Sequence, residues 1–194
     1  MKYFTQLKAL LFLASLIPLC RLVWFGYSDQ LGANPIELIT RSLGTWTLVF
    51  LLITLSLTPL RKLSGWSWLV KLRRMAGLFT FFYALLHFIT YIWLDQFFDL
   101  VEIFKDVIKR PFITIGFAAF ILLTLLAITS TNAMMKKIGG KRWQMLHRLV
   151  YAIAVFAVIH YWWLVKKEIT QPLIYAVILL ILLGYRVWKV KLIK

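Results

Sequence analysis

Cysteine is nearly absent: the 194 residues hold one, Cys20. That excludes an intramolecular disulfide, a CxxC redox pair and any zinc or iron–sulfur centre held by several thiolates. Acid is scarce too, with seven Asp and Glu against 23 Lys and Arg, and histidine occurs three times, as His87, His147 and His160. The nine glycines form neither GxGxxG nor a P-loop, which argues against a nucleotide-binding domain within the chain.

What the chain has instead is apolar length. It is 62% hydrophobic and 15% charged, whereas soluble domains run at about 45–50% apolar and about 25% charged. The reading is an all-α, polytopic membrane protein with no room for a separate soluble domain. Six spans are expected, over about residues 9–26, 43–60, 75–94, 111–129, 146–165 and 172–188, forming a six-transmembrane-helix bundle that occupies residues 1–194 as a single domain. The first apolar run follows Lys2 and Lys8 as a signal peptide would. Pro18 and Leu19 precede Cys20 where cleavage wants small residues, so a retained helix kinked at Pro18 is expected.

Between the spans, SDQLGANPIELITR reads as a loop, and Pro59 with Arg61–Lys62 reads as the end of the second span. Asp95–Arg110 places Phe97, Val101, Phe104 and Ile108 at helical spacing among charges, the pattern of an amphipathic helix on a membrane surface. Pro111 suits the first turn of the fourth span. Lys136, Lys137, Lys141 and Arg142 form a basic loop around Gly139–Gly140.

The net charge of +16 belongs to a membrane topology. Basic blocks flank apolar runs, and no nucleic-acid-binding module is present, so a nucleic-acid partner is not expected. With both termini cytoplasmic, 16 of the 23 cations lie inside; all seven acids lie outside, against seven cations. The positive-inside rule selects that orientation.

In this topology the third and fifth spans run in the same direction. His87 lies seven residues before the expected end of its span and His160 five before the end of its own, so the two imidazoles share a depth in the outer half of the bilayer. Imidazole inside a membrane is costly and marks function by default. Two at one depth on different helices suit the axial positions of a haem; a hydrogen-bonded packing pair and a proton relay are the alternatives. No Asp or Glu lies within a span, which weakens the relay.

His147 precedes His160 by thirteen residues, about 20 Å along a helix, at the inner end of the fifth span. On a straight helix it is well off the face of His160, so a ligand role requires tilt or a bend. An interfacial water or headgroup contact is the plainer reading. Arg73 and Arg74, at the inner start of the third span, are either positive-inside anchors or a clamp for a phosphate or carboxylate, such as a flavin phosphate or a haem propionate. With all acids outside the spans, neither a serine triad nor an acid–base carboxylate pair can be assembled.

Several stretches together resemble one family: LGANPIELITRSLGTW, TLSLTPLR, RRMAGLFTFFYALLHFITY, KRPFITIGF, AITSTNAM, KRWQMLHRLVYAIAVFAVIHYWW and QPLIYA. They are similar to the MsrQ (YedZ) family of haem-binding membrane subunits, within the wider ferric reductase-like superfamily. The resemblance implies haem b, one or two per chain, together with FMN, in the bacterial inner membrane. It implies electrons from the quinone pool or a cytosolic flavin reductase, passed to a periplasmic molybdopterin partner, MsrP, that reduces methionine sulfoxide in oxidised envelope proteins. It implies His87 and His160 as axial ligands. The wider relatives carry two histidines on each haem helix; here His147 remains a possible inner haem ligand, while Arg73 stands where its counterpart would be. A self-standing ferric reductase-like cytochrome b is the alternative within redox chemistry, and a non-redox transporter or membrane anchor is the alternative outside it.

Overall fold

The first apolar run is two helices, α1 (Lys2–Ala14) and α2 (Ile17–Tyr27), broken where Pro18 has no N–H to give. In this computed structural model, which describes residues 2–165 and 168–191, the carbonyl of Ser15 at that break accepts the hydroxyl of Tyr83 at 2.7 Å. Every regular element among the described residues is helical.

The second span is longer at both ends than expected. SDQLGANPIELITR is not a loop throughout: α3 runs over Pro35–Ser64. Asn34 caps it, its Oδ1 accepting the Glu37 N–H at 3.2 Å while its Nδ2 donates to Glu37 Oε2 at 3.0 Å, and Pro35 opens the first turn. Nor does Pro59 end the helix. It removes the donor that the Leu55 carbonyl would use four residues on, and a side chain from another helix takes that place. Arg186 of α10 (Thr170–Lys191) donates from Nη2 to Leu55 O at 2.5 Å and from Nη1 to Leu182 O at 2.8 Å. Its guanidinium lies over the Tyr151 ring, 5.2 Å from the centroid. α3 then stops at Gly65, whose φ of 76° is a left-handed value that other residues resist.

The third span, α4 (Leu69–Thr90), starts earlier than the expected Met75 and passes into a wider π turn over Tyr91–Asp95. Phe97 and Phe98 have φ of 48° and 62° and swing the chain into α5 (Leu100–Lys109). The amphipathic helix is therefore shorter than the expected Asp95–Arg110. Asp99 caps it, accepting the N–H groups of Val101 and Glu102 at 3.0 Å each, and Val101, Phe104 and Ile108 remain exposed.

α6 (Pro111–Ile128) has the expected bounds within one residue. The basic stretch after it is mostly helical, as α7 (Asn132–Ile138) and α8 (Gly140–His147). α9 (Val150–Leu164) follows, so the fifth span is bent at Arg148–Leu149 instead of running as one helix. Two cations assigned to the acid-bearing face, Lys166 and Lys167, and residues 192–194 of the basic tail lie outside the described residues.

Among the described residues, six stretches are long and apolar enough to cross a membrane: Phe4–Tyr27, Pro35–Ser64, Leu69–Asp95, Pro111–Ile128, Gly140–Leu164 and Thr170–Trp188. α3 packs along α4 and α6 along α9, while α10 lies against α3 and α9. Leu48, Leu51, Leu55, Ala84, Leu123, Ile153 and Ala154 meet in one core cluster. Ile53, Leu78, Ile121, Ile128, Leu180 and Ile181 point outward and are exposed, as side chains solvated by lipid would be. Six crossings put the start of α1 and the end of α10 on one face, with α5 on the other.

Candidate functional site

Four helices, α3, α4, α6 and α9, enclose a cavity of about 330 Å³, lined mainly by apolar side chains such as Leu48, Phe88, Phe120 and Ile153. His87 on α4 and His160 on α9 both face it, with ring centroids 6.2 Å apart and planes at 78°. The depth match read from the sequence is realised as a juxtaposition.

Each ring is held in the same way. His87 Nδ1 lies 2.9 Å from the carbonyl oxygen of Thr40 in α3, and His160 Nδ1 lies 2.6 Å from that of Phe112 in α6. A carbonyl can only accept, so each Nδ1 carries a proton, and in the neutral ring Nε2 then keeps its lone pair. In a helix these carbonyls already accept the N–H of the residue four positions on, and in both cases that residue is a glycine, Gly44 or Gly116. The missing side chain is what lets the ring approach. A Cβ on Gly44 would lie 3.1 Å from His87 Cε1; one on Gly116 would lie 2.6 Å from His160 Nδ1 and 2.8 Å from its Cε1. Thr40–Gly44 and Phe112–Gly116 are thus two copies of one imidazole cradle. These glycines had escaped the sequence reading. The available signal was glycine within an apolar helix, which costs about 1 kcal/mol relative to alanine and calls for a packing reason.

This geometry narrows the open readings. No hydrogen bond joins the two rings, and neither ring has a carboxylate partner, among the described residues. A bare metal ion has too few ligands here, since no group of three or more His, Cys, Asp and Glu that could hold one occurs among the described residues. Two imidazoles with Nδ1 committed to backbone, in a mainly apolar cavity between packed helices, fit a metal whose remaining ligands come with it, as in a haem. Both rings face the cavity with centroids 6.2 Å apart, so the two could hold such a group between them.

The structure does not bring His147 to this pair. Its ring stacks on Trp143, with centroids 3.9 Å apart, and its Nε2 lies 3.2 Å from the hydroxyl of Thr129. That hydroxyl donates its proton to the Leu125 carbonyl at 2.7 Å, so it accepts from His147 Nε2, and the tautomer is the reverse of that in the other two rings. Trp143 Nε1 donates to the Thr129 carbonyl at 2.7 Å, closing a small knot between α6 and α8. Arg73 and Arg74 lie exposed at the basic end of α4. Arg74 Nη2 donates to Asn132 Oδ1 at 2.6 Å, and the Arg73 charge acts on His147.

Residues 42–158 match the sequence profile described as the ferric reductase like transmembrane component. The chain is also similar to proteins named protein-methionine-sulfoxide reductase heme-binding subunit MsrQ. One from Herminiimonas arsenicoxydans is 60% identical over 186 residues, covering 95% of this chain and 85% of the relative. One from Azospira oryzae is 55% identical over 184 residues, covering 94% and 79%. One from Rhodospirillum rubrum is 53% identical over 178 residues, covering 90% and 84%.

Proposed function

Because this chain belongs to the MsrQ family of heme-binding subunits, within the ferric reductase-like transmembrane proteins, we propose that it holds a haem b between His87 and His160. The group, when bound, supplies reversible one-electron chemistry. The protein supplies everything else. The Thr40 and Phe112 carbonyls fix both imidazoles with Nε2 available, Gly44 and Gly116 make room for the rings, and the apolar wall from α3, α4, α6 and α9 excludes water. The fixed pair of rings, 6.2 Å apart with Nδ1 committed to backbone, is the observation that carries this reading.

The termini and the basic loops lie on the cytoplasmic side of the bacterial inner membrane, following the asymmetry of Lys and Arg. Electrons arrive there from the quinone pool or a cytosolic flavin reductase. They leave at the acid-bearing face toward periplasmic MsrP, which reduces methionine sulfoxide. The segments assigned to that partner are Asp29–Arg41, Asp95–Arg110 and Lys166–Gln171, of which Lys166 and Lys167 lie outside the described residues. Arg73 and Arg74 are placed to clamp the phosphate of FMN, or a propionate of an inner haem. His147 is the imidazole available to such an inner haem, provided that its Nε2 gives up Thr129.

The test is reconstitution of the purified full chain in lipid with MsrP. Dithionite should shift a Soret band in the chain, and quinol or reduced flavin should then drive methionine sulfoxide reduction only when both proteins are present. A chain that purifies from haem-replete cells without a Soret band, or sulfoxide reduction at the same rate without it, would overturn the proposal.

A further inference from the structure

Two cations stand at the mouth of the histidine cavity, and neither was singled out by the sequence. Arg41 and Arg110 line the same cavity as His87 and His160. Arg41 follows Thr40, whose carbonyl holds His87; Arg110 caps α6 two residues before Phe112, whose carbonyl holds His160. Each cation therefore adjoins one imidazole cradle, at the acid-bearing end of the cavity.

We propose that Arg41 and Arg110 anchor the two propionate carboxylates of the haem. This rests on the haem reading above and names the groups that would orient it. A guanidinium has five N–H donors, and neither arginine exhausts them. Arg41 meets Glu37 through Nη2 at 2.7 Å, and Arg110 meets Asp106 through Nε at 3.3 Å. Both arginine side chains are more than half exposed, at 58% and 54%, and Glu37 is exposed as well, so the Arg41–Glu37 pair contributes little by itself; Asp106 is the more buried acid, at 14%.

A further polar group stands at the same mouth. Tyr91 lines it, and its hydroxyl is the one buried side-chain polar atom among the described residues without a hydrogen bond of standard geometry. Asp106, which takes Arg110 and also Gln96 Nε2 at 3.1 Å, lies beside that hydroxyl and has lone pairs left for it. Asp95 also lines the cavity and opposes a carboxylate there, with Gln96 Nε2 beside it at 3.3 Å. Each guanidinium keeps N–H donors beyond its own ion pair, and guanidinium binds carboxylate bidentately, so the two together offer a fork to each of two carboxylates at the mouth.

The full chain, produced in haem-deficient cells and solubilised, is titrated with haem b and with haem dimethyl ester, whose carboxylates are masked. The wild type should bind haem about tenfold or more tightly than the diester, as charged hydrogen bonds imply. Arg41→Gln with Arg110→Gln should bind both at the wild-type diester level and remain low-spin. Glu37→Gln with Asp106→Asn breaks the ion pairs, keeps the arginines and should preserve the discrimination. The wild-type comparison needs no variant to fold: equal affinity for the two ligands overturns the proposal. So does an equal loss for both ligands in the arginine variant, or loss of discrimination in the carboxylate variant. Failure of the wild type to take up either ligand in a low-spin state would instead remove the haem reading beneath it.

Discussion

The sharpest consequence of the paired cradles is an asymmetry between two glycines. In Gly116→Ala the new methyl lies 2.6 Å from His160 Nδ1. Unstrained carbon contacts sit at about 3.5–4.0 Å, so the ring must retreat by roughly 1 Å. His160 Nδ1 is 2.6 Å from the Phe112 carbonyl, and that retreat takes the bond beyond hydrogen-bond range. Losing the bond costs about 0.5–1.5 kcal/mol, and overpacking a well-packed site costs about 1–3 kcal/mol. At 1.4 kcal/mol per factor of ten, a combined loss of about 2–4 kcal/mol lowers haem affinity by about 30-fold or more. In the haem-free protein no iron pins the ring, so it relieves the overlap by moving, and alanine's helix preference of about 1 kcal/mol over glycine offsets the lost hydrogen bond; little stability should be lost there. In Gly44→Ala the closest approach is 3.1 Å, to His87 Cε1; a shift of a few tenths of an ångström relieves it, and the loss should stay within about tenfold. Gly184→Ala meets nothing within 4 Å and serves as the control. Spectrophotometric haem titration of the three variants, with thermal unfolding of the haem-free forms, measures both quantities. Wild-type affinity and an unchanged low-spin spectrum in Gly116→Ala would refute the cradle argument.

Arg186→Met should destabilise the fold by about 1–3 kcal/mol, because the Leu55 carbonyl loses its donor; with Pro59→Ala restoring a backbone N–H, the same change should cost less, and additive effects in the double-mutant cycle would reject the coupling. His147→Ala should leave the His87–His160 site low-spin while altering total haem or its reduction, which pigment analysis reads; complete loss of all haem would contradict the separation of the sites. Arg73→Gln with Arg74→Gln should reduce flavin occupancy by about tenfold or more, from two lost charge-assisted bonds; unchanged FMN content and unchanged reduction by a flavin donor would return both residues to membrane anchors.

The arrangement of spans was legible because bilayer thickness and charge asymmetry act on whole segments. Helix ends were less so. Pro59 reads locally as a terminator, and only the guanidinium of Arg186, 127 positions later in the chain, makes the helix continue. Asn34–Pro35 reads locally as a turn, although the same pair followed by Glu37 is a helix start. The closeness of His87 and His160 followed from counting residues to the span ends. The acceptors of their Nδ1 protons could not be read, because Thr40 and Phe112 contribute backbone carbonyls, which every residue possesses. Gly44 and Gly116 were visible only as unexplained glycines in apolar helices, and Arg41 and Arg110 only as charges near a membrane face.

The central claim is one haem iron between His87 on α4 and His160 on α9, and low-temperature electron paramagnetic resonance of the oxidised, purified chain tests it most directly. The account requires a low-spin ferric signal from two imidazole ligands in the wild type. Each of His87→Ala and His160→Ala should eliminate that signal, whereas Gly184→Ala should keep it. A low-spin bis-imidazole signal that survives in either histidine variant would contradict the assignment.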